Sequence, residues 1–172
     1  QGKIEDSDFE SLITGAHANY VNRITLEVEL NSNGGDVIEA MKIGRAIKKF
    51  GLNTGFPSTG DSDEKCLSAC FFIYVSGVVR SFSFLYEGDV GVHRPYFKPD
   101  YFAGLSSTEA EKKHKSMVED TKQYLRDMNV SEELIDLTYR VPPKELYFIT
   151  DDDFKKWIGR FQPFFKDWVF AK

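Results

Sequence analysis

The sequence predicts an α/β domain. Three observations carry that reading: a strand, a Gly-Gly turn and a helix in succession near the N-terminus; further short apolar strands alternating with helical periods along the rest of the chain; and a length of 172 residues, which suits one hydrophobic core. No internal repeat and no Pro/Gly/Ser linker divides it. The expected organisation is one domain over residues 1–160 and an aromatic tail over 161–172.

The elements follow in order. Over residues 24–30, Ile24, Leu26, Val28 and Leu30 alternate with Thr25, Glu27 and Glu29, the period of a half-buried strand. Asn31-Ser32-Asn33-Gly34-Gly35 is a dense turn signal. Asp36-Val37-Ile38-Glu39 then has the form of a capping box, and Val37, Met41, Gly44 and Ile47 recur at helical spacing up to Gly51, a C-terminal cap. Residues 54–65 are expected to be a loop. The apolar run after Cys66 fits a buried helix or a buried strand equally by periodicity. Residues 80–85 and 89–93 read as two short strands around Glu87-Gly88, and 98–107 as a loop. A long helix is expected over 108–128, charged in its first turns and burying Met117, Val118, Tyr124, Leu125 and Met128 later. A second spans 131–140 with Ser131 as its cap, and Pro142-Pro143 stops it. Residues 146–149 form a further strand and 151–158 a short helix that Gly159 ends, with Asp151, Asp152 and Asp153 capping it and complementing its dipole.

Composition excludes several function classes. There are 22 Lys+Arg against 27 Asp+Glu, a formal net charge of −5, which argues against a nucleic-acid partner. With 41% hydrophobic and 15% aromatic residues the chain is no disordered linker. The longest apolar run, 69–79, is broken by Ser76 and Gly77 and falls short of the roughly 18–20 residues of a membrane span. Two cysteines are too few for a four-cysteine zinc site, and His17 and His114 have no partner at ligand spacing, so neither metal nor cofactor is expected.

Three segments carry chemistry. A Gly-Gly pair at a helix start presents backbone N–H groups to a phosphate or a developing oxyanion, or else is a turn that only glycine tolerates. Ser68, among small residues before an apolar helix, is either an N-cap or a nucleophile on a sharp turn with the Ala69 N–H beside it. His93 follows a short apolar strand and precedes Pro95 by two residues; alone it is a satisfied histidine, and with Ser68 upstream it is a candidate base.

In combination, Asn31-Ser32-Asn33-Gly34-Gly35, Ser68-Ala69, Gly77-Val78-Val79-Arg80 and His93-Arg94-Pro95 resemble the Clp protease family. The order is the family's, the 25-residue spacing from Ser68 to His93 looks like it, and Gly2-Lys3-Ile4-Glu5-Asp6-Ser7 looks like the turn after the family's first strand. The resemblance covers residues 2–159. It implies the ClpP/crotonase-like fold of repeated ββα units with a protruding helix. It also implies serine-type peptide hydrolysis: Ser68 as nucleophile, His93 as base and the N–H groups of Gly35 and Ala69 as oxyanion hole. Gly34, Asp36 and Val37 would offer a strand edge to an extended peptide or protein substrate. A homo-oligomer is implied as well.

The departures are specific. Asn33 stands where the family has Pro. With residues 131–135 laid on the family's helix, its acid falls at Thr138, and Asp136 is the nearby carboxylate. At about 100° per residue the two point roughly 200° apart, so only one can face His93. Cys66 and Cys70 bracket Ser68. Within one helix they would sit about 5–6 Å apart at Cβ, too far to bridge; with Cys66 in the turn before it they can pair. Similar Cys-x-Ser-Ala-Cys segments look like those of periplasmic ClpP-like proteins. The resemblance therefore implies export or a membrane anchor, with a cytoplasmic location as the alternative. The chain starts at Gln1, just after the place of the family's first strand, so an upstream strand and an export signal are expected.

Three other readings compete. One is a catalytically impaired binding or scaffold protein, favoured by the missing acid at 138. Another is an acyl-CoA-acting enzyme on the same fold. The third is a Ser–Lys site, for which no lysine lies in an apolar context.

Overall fold

In a computed structural model that describes residues 2–5, 8–11, 27–57, 64–81 and 89–165, β1 (Glu27–Glu29) runs parallel to β2 (Asn53–Gly55), with Val28 opposite Thr54. The crossover between them is α1 (Val37–Phe50). A second sheet is built from β3 (Cys66–Leu67), β4 (Val90–Val92) parallel to it, and β5 (Tyr147–Phe148) antiparallel to β4. Single bridges tie these pieces together. Ser32, just past β1, pairs with Cys66; Thr54 pairs with Arg80; Val79 pairs with Phe161; and Ile4 pairs with Gly35. The remaining helices are α2 (Ala69–Tyr74), α3 (Ser107–Asp127), α4 (Glu132–Arg140) and α5 (Asp151–Trp157).

Local chemistry explains the ends of these elements. The Asp36 carboxylate accepts from the N–H groups of Ile38 and Glu39 and starts α1, and Gly51 ends it in the left-handed region at φ 67°. The expected capping box is only half made. Glu39 is buried and turns away, accepting from the Phe9 N–H and the Lys42 ammonium, and so pins the N-terminal segment to α1. α3 starts one residue earlier than predicted, because Ser106 and Glu109 form a full capping box. For α5 the cap is Thr150, not the aspartates; Asp153 completes that box. The loop predicted over 98–107 contains a 3₁₀ turn, Pro99–Phe102.

The apolar run after Cys66 becomes both structures that periodicity allowed. Two residues are strand, and the six residues of α2 are all buried. α1 packs on α2 through Val37, Ala40, Met41, Ile43 and Ile47. Gly44 makes the approach to α3 feasible, since any Cβ there would collide with the Tyr124 hydroxyl, which donates to the Phe72 carbonyl. The first turns of α3 are exposed, and its last turns bury Met117, Thr121, Tyr124 and Leu125.

Arg80 is fully buried and, among the described residues, has no carboxylate partner. Its guanidinium donates to the carbonyls of Ile158 and Gly159 and to that of Met128, at the C-terminal ends of α5 and α3. Those ends carry partial negative charge, which is where a buried cation belongs. Burial still lowers its pKa to about 10. The residues that open the tail pack on the domain: Phe161 bridges Val79 and the buried Gln162 donates to the Val75 carbonyl. The remaining tail (166–172), the start of the predicted first strand (24–26), most of the predicted hairpin (82–88) and His17 lie outside the described residues. Among the described residues no helix is long and apolar enough to cross a membrane, and no cluster of His, Cys, Asp or Glu could hold a metal.

Candidate active site

Ser68 sits at the junction of β3 and α2 with φ 57° and ψ −119°. A non-glycine residue held there stores on the order of 1–3 kcal/mol of strain. The surroundings over-determine it. The Ser68 N–H donates to Gly91, Leu67 to Ser32 and Cys66 to Asp89, so both neighbouring strands grip the turn. A disulfide joins Cys66, in β3, to Cys70, in α2, with Cα atoms 5.1 Å apart. The condition for pairing, that Cys66 precede the helix, is met. Ser68 does occupy the N-cap position of α2, but its side chain makes no capping bond there, and the hydroxyl is left for the cleft it lines.

The glycine turn meets Ser68 from the other side. Gly34 has φ 99°, and a Cβ on it would lie 2.7 Å from the Leu67 carbonyl oxygen and 2.8 Å from Ser68 Cβ. Only glycine lets the two turns touch. The N–H groups of Gly35 and Ala69 have no acceptor among the described residues.

His93 is buried at the end of β4. Its Nδ1 lies 2.9 Å from the Arg94 carbonyl oxygen, and the Arg94 N–H donates to Val141. A carbonyl can only accept, so Nδ1 carries the proton in this contact and Nε2 is the basic nitrogen. Ser68, Ala69, Gly35 and His93 all line one recess of about 10 Å³, the size of a single water or oxygen atom. No hydrogen bond joins Ser68 to His93.

Neither expected third member is hydrogen-bonded to His93. Asp136 is exposed on α4, and Thr138 is buried with its hydroxyl donating back to the Leu134 carbonyl. Neither lines the recess or the cleft. The orienting group for His93 is a main-chain carbonyl.

The recess opens into a cleft of about 560 Å³, lined by Gly34, Asp36 and Val37 as expected. The predicted open strand edge is corrected in detail. The Gly34 carbonyl already accepts from the Ile4 N–H and the Asp36 N–H donates to the Ile4 carbonyl, while Val37 is the first residue of α1. Gly35 is the residue whose main-chain N–H remains for a ligand.

Sequence reading missed the opposite wall: Lys3, Tyr96, Lys98, Tyr101 and Pro143. Residues 98–101 carry no motif; only the run Lys-Pro-Asp-Tyr hinted at a turn. The Lys98 ammonium is 2.9 Å from Asp36 Oδ2, and the Tyr101 hydroxyl donates to the same oxygen at 2.9 Å. Burial works to raise the Asp36 pKa. The hydrogen bonds from Lys98, Glu39 and Tyr101, with the Lys98 charge, outweigh it and hold the carboxyl below its ordinary value. Phe97 and Phe102 pack against His114, which ties this wall to α3 and explains that histidine without a ligand.

No protein-family profile matches the chain, and no curated protein matches it. Solved structures do. A serine-to-alanine variant of a protein described as the 1510-N membrane-bound stomatin-specific protease is similar over 92% of this chain and 73% of its own, with a TM-score of 0.62 and 12% identity. At that identity the likeness concerns the fold, and the fold is ClpP-like: mixed helix and sheet with Ser68 on the strand-to-helix turn.

Proposed function

We propose that the chain is a serine-type peptidase. The observation that carries the reading is the shared recess: one candidate nucleophile, one basic ring nitrogen and two unpaired N–H groups surround a space the size of an oxygen atom. Ser68 Oγ attacks a peptide carbonyl while His93 Nε2 takes its proton. The carbonyl oxygen becomes an oxyanion in the recess, held by the N–H groups of Gly35 and Ala69. His93 gives the proton to the leaving amine, and water, activated by the same nitrogen, releases the acyl group from Ser68.

The orienter is neutral, so the imidazolium formed in the first step gains only a dipole, not a charge. That predicts slower turnover than a site with a buried carboxylate. The buried Cys66–Cys70 disulfide supports an oxidising compartment, and we propose a periplasmic or membrane-anchored, homo-oligomeric protein. A small neutral fluorophosphonate should label Ser68, with labelling abolished in Ser68→Ala and strongly slowed in His93→Ala.

The missing Ser68–His93 hydrogen bond favours a second reading, a ClpP-like binding protein without activity. Absence of labelling across a wide pH range decides for it.

A further inference from the structure

The chain is acidic, with a net charge of −5, yet its cleft is the reverse. Asp36 is the one carboxylate among the described cleft-lining residues, and it is saturated. Oδ1 accepts from the Ile38 and Glu39 N–H groups and Oδ2 from Tyr101 and Lys98. A cation entering the cleft would have to displace Lys98 to reach it. The remaining polar groups are mixed: Asn33, Ser68 and the tyrosine hydroxyls can donate or accept, His93 Nε2 accepts, and the two lysines only donate. Lys98 is half exposed and stands at the opening. Lys3 is exposed and Tyr96 is 67% exposed; among the described residues the Lys3 ammonium has no ion-pair partner and the Tyr96 hydroxyl no hydrogen-bond partner. The start of α1 points its positive dipole end into the same space. Apolar lining is limited to Val37, Pro143 and the tyrosine rings.

We infer that this cleft selects a carboxylate next to the scissile bond, the side chain of glutamate or aspartate in the residue whose carbonyl enters the recess, with Lys3, Lys98 and Tyr96 as its recognition groups. The inference rests on the peptidase reading for its position relative to Ser68. The charge logic is independent of it: a cleft whose described charged side chains are two lysines and one carboxylate already held by four donors favours an anion over an aliphatic or cationic group.

The test uses three peptidyl phosphonates that differ only in the side chain beside phosphorus: glutamate, leucine and lysine. The small neutral fluorophosphonate serves as control. The glutamate probe should modify Ser68 about tenfold faster than either of the others. Lys3→Glu and Lys98→Gln should each lower the glutamate-to-leucine rate ratio. Equal or faster reaction of the leucine or lysine probe overturns the inference. If even the neutral probe fails, the peptidase reading falls, and binding of peptides to Ser68→Ala decides the inference alone. There an amidated peptide with internal glutamate should bind tighter than its leucine and lysine counterparts. A leucine peptide with a free C-terminus, tested beside it, distinguishes a chain end from a side chain as the source of the carboxylate. Binding no tighter than that of the amidated leucine peptide by either carboxylate peptide sinks the proposal.

Discussion

Cys66 and Cys70 are joined covalently across the residue that carries the candidate nucleophile, one cysteine in the strand before Ser68 and the other in the helix after it. Both are fully buried. The bridge closes a loop of a few residues, so its entropic contribution is modest, about 2 kcal/mol. Its position matters more than its size, because it fixes both flanks of a strained turn. Replacing both cysteines by alanine should lower the unfolding free energy measured in urea by at least that amount and slow Ser68 labelling more than the stability loss explains. Alkylation of the native protein after mild reductant should find no free thiol. Rapid modification under native conditions would mean the bridge is not enclosed as described.

Gly34→Ala should damage the site more than the fold. Its Cβ would press on the Leu67 carbonyl and on Ser68 Cβ, at a backbone φ of 99° that side chains avoid. We expect a loss of about 1–3 kcal/mol and abolition of Ser68 labelling. Labelling at the wild-type rate in a folded variant would show that the two turns do not meet.

Arg80→Met removes the donor shared by the Met128, Ile158 and Gly159 carbonyls. The Ile158 and Gly159 carbonyls then lose this donor and the Met128 carbonyl keeps only the longer bond from Gln162 Nε2, at 3.4 Å, so the cost should be about 3–5 kcal/mol. Chemical denaturation measures it. Arg80→Lys keeps the charge with one nitrogen in place of the planar fork, and should restore only part of the loss.

The Asp36 carboxyl contributes to acid stability with a definite sign. Its folded pKa lies below the ordinary 3.8, so its stabilisation is fully present above 3.8 and is lost as pH falls through the folded value. Below 3.8 the unfolded chain binds a proton that the folded one refuses. Asp36→Asn, which can still accept from the α1 N–H groups, should therefore flatten the acid limb of the stability curve below about pH 4. An unchanged limb would place that titration elsewhere.

Asp136→Asn and Thr138→Val should leave the labelling rate of Ser68 unchanged, since one side chain is exposed and the other is bonded to its own helix. Thr138→Val loses one buried hydrogen bond and should cost about 1 kcal/mol. A loss of reactivity in Asp136→Asn as large as in His93→Ala would show that α4 supplies an acid after all.

Much of this was legible beforehand, where the signal is local. The Asp36 and Ser131 caps, the Gly51 stop and the long charged-then-apolar helix all depend on neighbours within a turn or two. That Ser68, His93 and the glycine turn come to line one recess was suggested by order and spacing. The far wall of the cleft was not. Lys98 and Tyr101 act on Asp36, more than sixty positions earlier, and nothing in their own segment marks them.

The sequence by itself determined the alternation of strands and helices, the helix ends, and which side chains have the chemistry to attack, to accept a proton and to hold an oxyanion. Tertiary structure alone decided which of them share a space. It kept the Ser68 side chain from capping α2, paired Cys66 with Cys70, turned the Thr138 hydroxyl back into its helix and gave His93 a carbonyl to lean on. The physical reason is that a hydrogen bond's partner is chosen by competition among all groups within about 3 Å, and for buried groups that set is fixed only when distant segments close on one another.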